Sequence, residues 1–198
     1  MYKFIFKKMF DYIICILLVP VLIPLLLIIA SCIFIEDRNN CFYLGERLGY
    51  KGKIFKMYKF RTMKINSPDI RNEDGSTFNS SVDPRLTKVG YFLRKTSLDE
   101  IPQVINVLLG QMSIVGPRPD LPEHINYYTE EEVKKLLVLP GITGFNQAFY
   151  RNSVEWKERL KNDVFYVNNI SFWMDIKIIF FTIYSVLFRK NIFLKEKE

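Results

Sequence analysis

A single histidine, His124, stands in a chain of 198 residues. A site built from several imidazoles, whether a zinc centre or a histidine acid–base pair, is excluded on that count. Cysteine is equally scarce. The three present, Cys15, Cys32 and Cys41, form no CxxC pair, and two of them lie in or beside an apolar N-terminal run. No zinc site, disulfide framework or redox pair follows from such spacing. The chain has no GxxxxGK[ST] stretch and no GxGxxG, so it carries neither a P-loop nor a dinucleotide fingerprint. Internal repeats and low-complexity tracts are missing. The marks of nucleic-acid modules (finger spacing, paired RNA-stacking aromatics, a basic zipper) are missing too, and no nucleic-acid partner is expected.

Hydrophobic residues make up 49% and charged residues 25% of the chain, which suits one ordinary domain with a packed core. The formal charge of +7 by itself suits an anionic partner of any kind: nucleic acid, anionic lipid or a phosphorylated substrate. The N-terminus reads MYKFIFKKMFDYIICILLVPVLIPLLLIIASCIFIEDRNN, and its 24 residues from Tyr12 to Ile35 carry no charge. That length suffices to span a bilayer. It is too long for a signal peptide and lacks a small-residue cleavage pattern. Pro20 and Pro24 at its centre predict a bend, because each lacks an N–H and crowds the preceding turn. Three fates are open: a kinked span, a re-entrant helix that returns to the same face, or a buried soluble helix. Lys3, Lys7 and Lys8 precede the run; Arg38, Arg47, Lys51, Lys53, Lys56, Lys59 and Arg61 follow it. Positive flanks on both sides favour two cytoplasmic ends.

Beyond the run, glycines 45, 49 and 52 mark turns, and IFKMYKF alternates as a strand does. Residues 64–83 read as a polar surface loop. Residues 85–94 suggest a short helix or turn, and Ile101–Leu109 a core helix stopped by Gly110. Thr129–Leu139 suggests a helix capped by Thr129, Gly141 onward a turn and short strand, and Glu155–Val167 an amphipathic helix. Ser171–Phe188 is an apolar, aromatic helix of the core or of a membrane interface. His124 is most simply a surface or structural residue.

The segment LDEIPQVINVLLGQMSIVGPRPD places two adjacent carboxylates, Asp99 and Glu100, before an apolar stretch, and an arginine between two prolines after it. Ser97 and Glu100 match a capping box. Pro102 argues against that assignment, because it would fall inside the helix where its missing N–H is a loss. If the helix begins near Ile101 instead, both acids are free for chemistry. Carboxylates attract Mg2+, which keeps waters and takes phosphate oxygens. Arginines fork onto phosphate, and Arg61, Arg85, Arg94 and Arg118 supply them. The pair alone is compatible with a helix end or with a phosphate and Mg2+ site.

Six strings in order sharpen the reading: Lys59-Phe60-Arg61-Thr62-Met63, Asp83-Pro84-Arg85-Leu86-Thr87-Lys88-Val89-Gly90, Leu98-Asp99-Glu100-Ile101-Pro102-Gln103, Gly116-Pro117-Arg118-Pro119, Pro140-Gly141-Ile142-Thr143-Gly144 and Trp173-Met174-Asp175-Ile176-Lys177. Together they resemble the bacterial sugar transferase family, the monotopic phosphoglycosyl transferases that begin glycoconjugate assembly. The resemblance runs from about residue 5 to residue 188. It implies an α/β, mostly helical, monotopic membrane protein: a kinked re-entrant helix over 1–38, then a cytoplasmic catalytic core over 39–198 with interfacial amphipathic helices, one at about 171–188. It also implies a location on the cytoplasmic face of the bacterial inner membrane, against an anionic phospholipid bilayer.

The reaction so implied moves phosphosugar from a UDP-sugar, an N-acetylated one in the leading reading with glucose or galactose as the alternative, to polyprenyl (undecaprenyl) phosphate, giving polyprenyl-diphosphate-sugar and UMP. A non-catalytic membrane scaffold of a glycan-assembly pathway is the alternative. By the resemblance, Asp99 is the nucleophile that forms a covalent phosphosugar intermediate, and Glu100 helps hold Mg2+ with it. Arg118 contacts phosphate or the departing nucleotide, while Lys59, Arg61 and Arg85 contact phosphate or support the structure. The family's usual serine-proline break is Ile23-Pro24 here. Gly144 to Arg151 departs from the pattern of many members and is expected to frame the sugar. Exposed apolar area suits lipid or a second copy in a homodimer.

Overall fold

The computed structural model describes residues 2–70, 80, 83–150 and 153–188. Most of the polar stretch at 64–83, the Arg151 end of the departing segment and the basic tail lie outside them.

After a π-turn at Tyr2–Phe6, one helix, α1, runs unbroken from Lys7 to Asp37 with Pro20 and Pro24 inside it. It is the one helix among the described residues that is long and apolar enough to cross a membrane. The helical assignment is continuous through both prolines. Arg38 stops α1 by turning into the left-handed region (φ 51°), where its N–H closes on the Phe34 carbonyl at 2.7 Å. Only a narrow stripe of α1 packs on the body. Cys15 and Leu22 meet Phe55, Met57, Val104, Val107 and Met112. Ile29 and Ile33, further along, meet Phe60 and Leu93. The opposite face, including Ile13, Leu17, Val21, Leu27 and Ile35, stays open.

Both ends of α1 are tied to the same body. Near its start, the buried Lys7 Nζ donates to Asp175 at 2.6 Å, and Asp11 accepts from the Ser113 hydroxyl at 2.7 Å and the Ile114 N–H at 3.1 Å. At its finish, Glu36 and Asp37 bond to residues 88, 89 and 61.

An antiparallel hairpin follows, β1 (Phe42–Leu48) with β2 (Ile54–Phe60), in the register Phe42↔Phe60 to Leu48↔Ile54. The strand expected at IFKMYKF is β2. Next come α2 (Lys88–Thr96), α3 (Gln103–Leu108) and β3 (Ser113–Val115). β3 pairs in parallel with β4 (Gly141–Thr143). Then α4 (Phe145–Phe149), α5 (Trp156–Asn168) and α6 (Phe172–Leu187) complete the described body. The fold is mostly helical, with two short two-stranded sheets.

Local differences from expectation have physical causes. Ser97 does not begin a helix: it ends α2 in the left-handed region (φ 59°), and its side chain makes no cap bond. Pro102 sits at the N-cap of α3, ahead of the positions where a missing N–H would matter. The segment after Thr129 carries a reciprocal capping box, with Thr129 N–H donating to Glu132 Oε2 and Glu132 N–H to the Thr129 hydroxyl. It nevertheless winds as 3-10 turns over Glu132–Leu137 rather than an α-helix. Burial of Lys135 and Leu136 on one side holds it down. Ser171 caps α6, accepting from the Met174 N–H. On α6, Asp175, Ile178 and Ser185 face inward, while Trp173, Phe180, Ile183 and Leu187 are exposed.

Candidate active site

Three elements converge on the carboxylate pair. β2 delivers Lys59 next to its last residue. The left-handed turn at Ser97 breaks α2 and starts the single 3-10 turn Leu98–Glu100, which turns Asp99 and Glu100 toward β2. The PRP turn after β3 delivers Arg118.

Backbone contact fixes that turn. Glycine is required there: a Cβ on Gly141 would lie 2.1 Å from the Gly116 nitrogen, and one on Gly144 would lie 2.1 Å from the Gly116 carbonyl oxygen. The Gly141 N–H donates to the Pro117 carbonyl at 2.9 Å, and the Gly116 N–H to the Thr143 carbonyl at 2.8 Å. The GPRPD and PGITG strings are thus one interlocked backbone unit.

At the centre, the Lys59 Nζ donates to Glu100 Oε1 at 2.6 Å, and Arg118 reaches the same oxygen at 3.3 Å. Burial by itself would raise the Glu100 pKa; the Lys59 and Arg118 charges outweigh it and hold the group down at about 2. Asp99 goes the other way. Burial, reinforced by the Glu100 charge against the pull of Lys59, Arg94 and Arg118, pushes it up to about 6. Two adjacent acids are thus driven apart: one is a committed anion in ion pairs, the other a carboxylate with no hydrogen-bond partner among the described residues. A free, destabilised carboxylate flanked by cations is suited to attack an electrophile whose oxygens those cations neutralise.

Arg118 keeps 45% of its side chain open to solvent and makes one side-chain bond among the described residues, so most of its fork is available to an incoming anion. Arg94 is half-buried and donates to the Thr62 hydroxyl at 3.1 Å. Burial lowers its pKa against the opposing field of Asp99 and Asp83. It belongs to the same electrostatic group. Its position at the end of a helix that leads into the acid pair was the signal for it in the sequence.

The other two arginines are otherwise engaged. Arg61 forks onto Asp37, at 2.6 Å for one arm, and also donates to the Asn40 and Met63 carbonyls. Arg85 is buried against Asp83, at 2.6 Å, and reaches the Pro68 carbonyl at 2.9 Å. Lys59, Glu100 and Arg118 are brought together around Asp99; Arg61 and Arg85 hold the segments beside them.

Behind Arg118 lies a network that no string announced. Lys135, buried, donates to Asp120 at 2.7 Å, pairs with Asp163 at 2.8 Å and donates to the Arg118 carbonyl at 3.2 Å. Tyr128 also donates to Asp120. His124 packs on Trp156 with ring centroids 4.7 Å apart, which is a structural placement. Phe145 and Phe149 pack against each other and on Phe165 and Phe181, so they serve the core of α4, α5 and α6.

Could Asp99 and Glu100 hold a metal? Both Asp99 oxygens and Glu100 Oε2 accept no hydrogen bond among the described residues, and they are hard oxygen donors. That set fits Mg2+, which keeps several waters and completes its shell with substrate phosphate. Among the described residues there is no group of three or more His, Cys, Asp or Glu that would form a closed cage.

A family model described as bacterial sugar transferase matches residues 2–189. This chain belongs to the bacterial sugar transferase family. It is 39% identical over 188 residues to the uncharacterized sugar transferase EpsL of Bacillus subtilis, covering 95% of this chain and 90% of that protein. It is 38% identical over 194 residues to the undecaprenyl-phosphate galactose phosphotransferase of Salmonella typhimurium, covering 92% of this chain and 40% of that protein. It is 37% identical over 195 residues to the UDP-glucose:undecaprenyl-phosphate glucose-1-phosphate transferase of Klebsiella pneumoniae, covering 94% and 41%. The sugar transferase thus spans less than half the length of the two relatives whose names state a donor.

Proposed function

We propose that this sugar transferase moves phosphosugar from a UDP-sugar to a polyprenyl phosphate such as undecaprenyl phosphate, on the cytoplasmic face of the bacterial inner membrane. The observation that carries the reading is the unpartnered Asp99 carboxylate beside the Lys59–Glu100–Arg118 cluster.

An oxygen of Asp99 attacks the β-phosphorus of the donor. The bond from that phosphorus to the bridging oxygen breaks, and UMP leaves with the bonding electrons. The phosphorus of the resulting acyl phosphate, a mixed anhydride of Asp99 and the phosphosugar, is then attacked by an oxygen of polyprenyl phosphate, which frees the carboxylate and gives polyprenyl-diphosphate-sugar. Arg118 and Lys59 face the negative charge of the donor, as phosphoryl transfer requires. Asp99 and Glu100 would hold Mg2+, which when bound neutralises phosphate charge. Arg61 and Arg85 act by holding the walls of the site.

Several features support a membrane seat. The outward face of α1 is apolar, and both ends of α1 bond to the same body, as a helix that enters and leaves on one face would require. Exposed Trp173, Phe180 and Ile183 on α6 suit an interface. Such a shallow site would meet the acceptor phosphate at the headgroups and the donor from the cytosol. The names of the two donor-defined relatives put glucose and galactose beside N-acetylated sugars as donors to be tried.

The test uses protein in nanodiscs with undecaprenyl phosphate, Mg2+ and a panel of UDP-sugars, read as UMP release. One donor giving UMP, with the signal lost in D99A and in excess EDTA, is the expected outcome. A protein with no turnover across the panel, or full turnover in D99A, overturns the reading.

A further inference from the structure

The last turn of α1 ends in Glu36-Asp37, at the negative pole of the helix, and has no basic residue to offset them. Acids are unfavourable at that pole. What compensates lies on other elements.

Glu36 Oε1 accepts from the Lys88 N–H at 2.7 Å, and Oε2 from the Val89 N–H at 3.0 Å. The next free amide of α2, that of Gly90, goes to the Thr87 hydroxyl at 2.8 Å. All of the first three amides of α2 are therefore satisfied, two of them by a carboxylate 52 and 53 residues away. Asp37, the next residue, takes the fork of Arg61. The two carboxylates thus grip two different segments: the start of α2 and the exit of β2.

Those segments lead into the site. α2 runs from Lys88 through Arg94 to Ser97 and then directly into Asp99 and Glu100; β2 carries Lys59 two residues before Arg61. Between the grips, α2 is wedged against the β2 exit, since a Cβ on Gly90 would lie 1.9 Å from the Thr62 carbonyl oxygen, and Arg94 donates to the Thr62 hydroxyl.

We propose that Glu36 and Asp37 are positioning residues for the transfer reaction: a clip by which the membrane helix sets the spacing of Lys59 from the Asp99–Glu100 turn. This rests on the transferase reading. Without Glu36, α2 loses two amide partners and slides along Thr62, and the 3-10 turn that aims Asp99 moves with it. A surface cap that served stability alone would leave turnover per folded enzyme unchanged.

The experiment compares wild type, E36A and E36Q in nanodiscs, with kcat and KM normalised to folded protein, and hydrogen exchange read at residues 88–90 and 98–101. The Glu36 side chain is exposed, so its truncation leaves no cavity. E36A is expected to lower kcat about ten-fold, because displacing a reacting group by a fraction of an ångström costs rate steeply, with KM for the UDP-sugar within two-fold. Exchange should accelerate at both segments. E36Q keeps an acceptor oxygen and should fall between the two. Turnover per folded E36A equal to wild type, or faster exchange confined to 88–90, overturns the clip. Wild type silent with every donor would instead count against the transferase reading, while the exchange arm still reports on the clip.

Discussion

Asp99 and Glu100 share a backbone turn yet hold their protons very differently: burial raises both, and at Glu100 alone the Lys59 and Arg118 charges outweigh it. Lys59 and Arg118 both bond to Glu100, and neither bonds to Asp99. Two predictions belong at this scale. Arg118→Ala should cut turnover by about a hundred-fold, typical of removing one preorganised charge partner, while Arg118→Lys, with one point charge, should recover part of it; equal activity in all three proteins would remove Arg118 from the site. The second concerns stability. The unfolded chain loses the Asp99 proton near about 3.9, the folded one at about 6. Between those values the folded state holds more proton, so stability falls as pH rises through the window. In EDTA, Asp99→Asn should therefore raise the unfolding midpoint at pH 7.5 by an amount equivalent to about 1–2 kcal/mol, and leave it unchanged near pH 4. Thermal unfolding at both pH values checks this. A gain of equal size at both would show that ionisation of Asp99 is not the cause.

At the scale of elements, three short segments deliver the site residues, and what aims each one is a close backbone contact. α2 and the β2 exit touch at Gly90 and Thr62; the PRP turn and the segment from β4 touch at Gly116, Gly141 and Gly144. Gly90→Ala should be destabilising by about 1–3 kcal/mol, because backbone rather than a movable side chain stands in the way, and should also lower turnover by displacing α2. Unfolding midpoint and activity together check it; wild-type values for both would mean that α2 is free to shift. The same scale explains the two misleading local signals. Ser97 and Glu100 have the residue types of a capping box, yet the left-handed Ser97 ends one helix instead of starting another. Thr129 and Glu132 do form the box, yet the buried Lys135 and Leu136 hold the following turns as 3-10. Local pattern specified where a chain reversal or helix start occurs; packing selected the form it took.

The whole molecule is a body laid along one apolar helix. Each end of α1 is pinned by buried or bidentate ion pairs, Lys7–Asp175 at one and Asp37–Arg61 at the other. A helix pinned so at both ends leaves the body and α1 as one unit, and among the described residues the outward face of α1 and Trp173, Phe180, Ile183 and Leu187 of α6 are exposed apolar surface. Cysteines introduced at Lys8 and Asn39, in a background without the native cysteines, should both react with an impermeant thiol reagent in inverted vesicles and neither in right-side-out ones. Labelling of the two from opposite sides would instead make α1 a span. Removal from liposomes should also resist high salt, because apolar burial rather than surface charge holds the protein.

The sequence by itself determined the family and the long apolar helix, because both depend on composition and order: acid, arginine and glycine strings in a family's sequence, and an uncharged run of sufficient length. It could not separate Lys59 and Arg118, which reach Glu100, from Arg61 and Arg85, which are bonded to Asp37 and Asp83. All four are basic residues in similar strings, and only their distances distinguish them. Nor could it reveal that Glu36 caps a helix more than fifty residues away, or that Lys135 stands under Arg118. Those pairings join residues with no local spacing between them. They exist only once the tertiary fold has brought α1 onto α2 and the 3-10 turns onto the PRP turn.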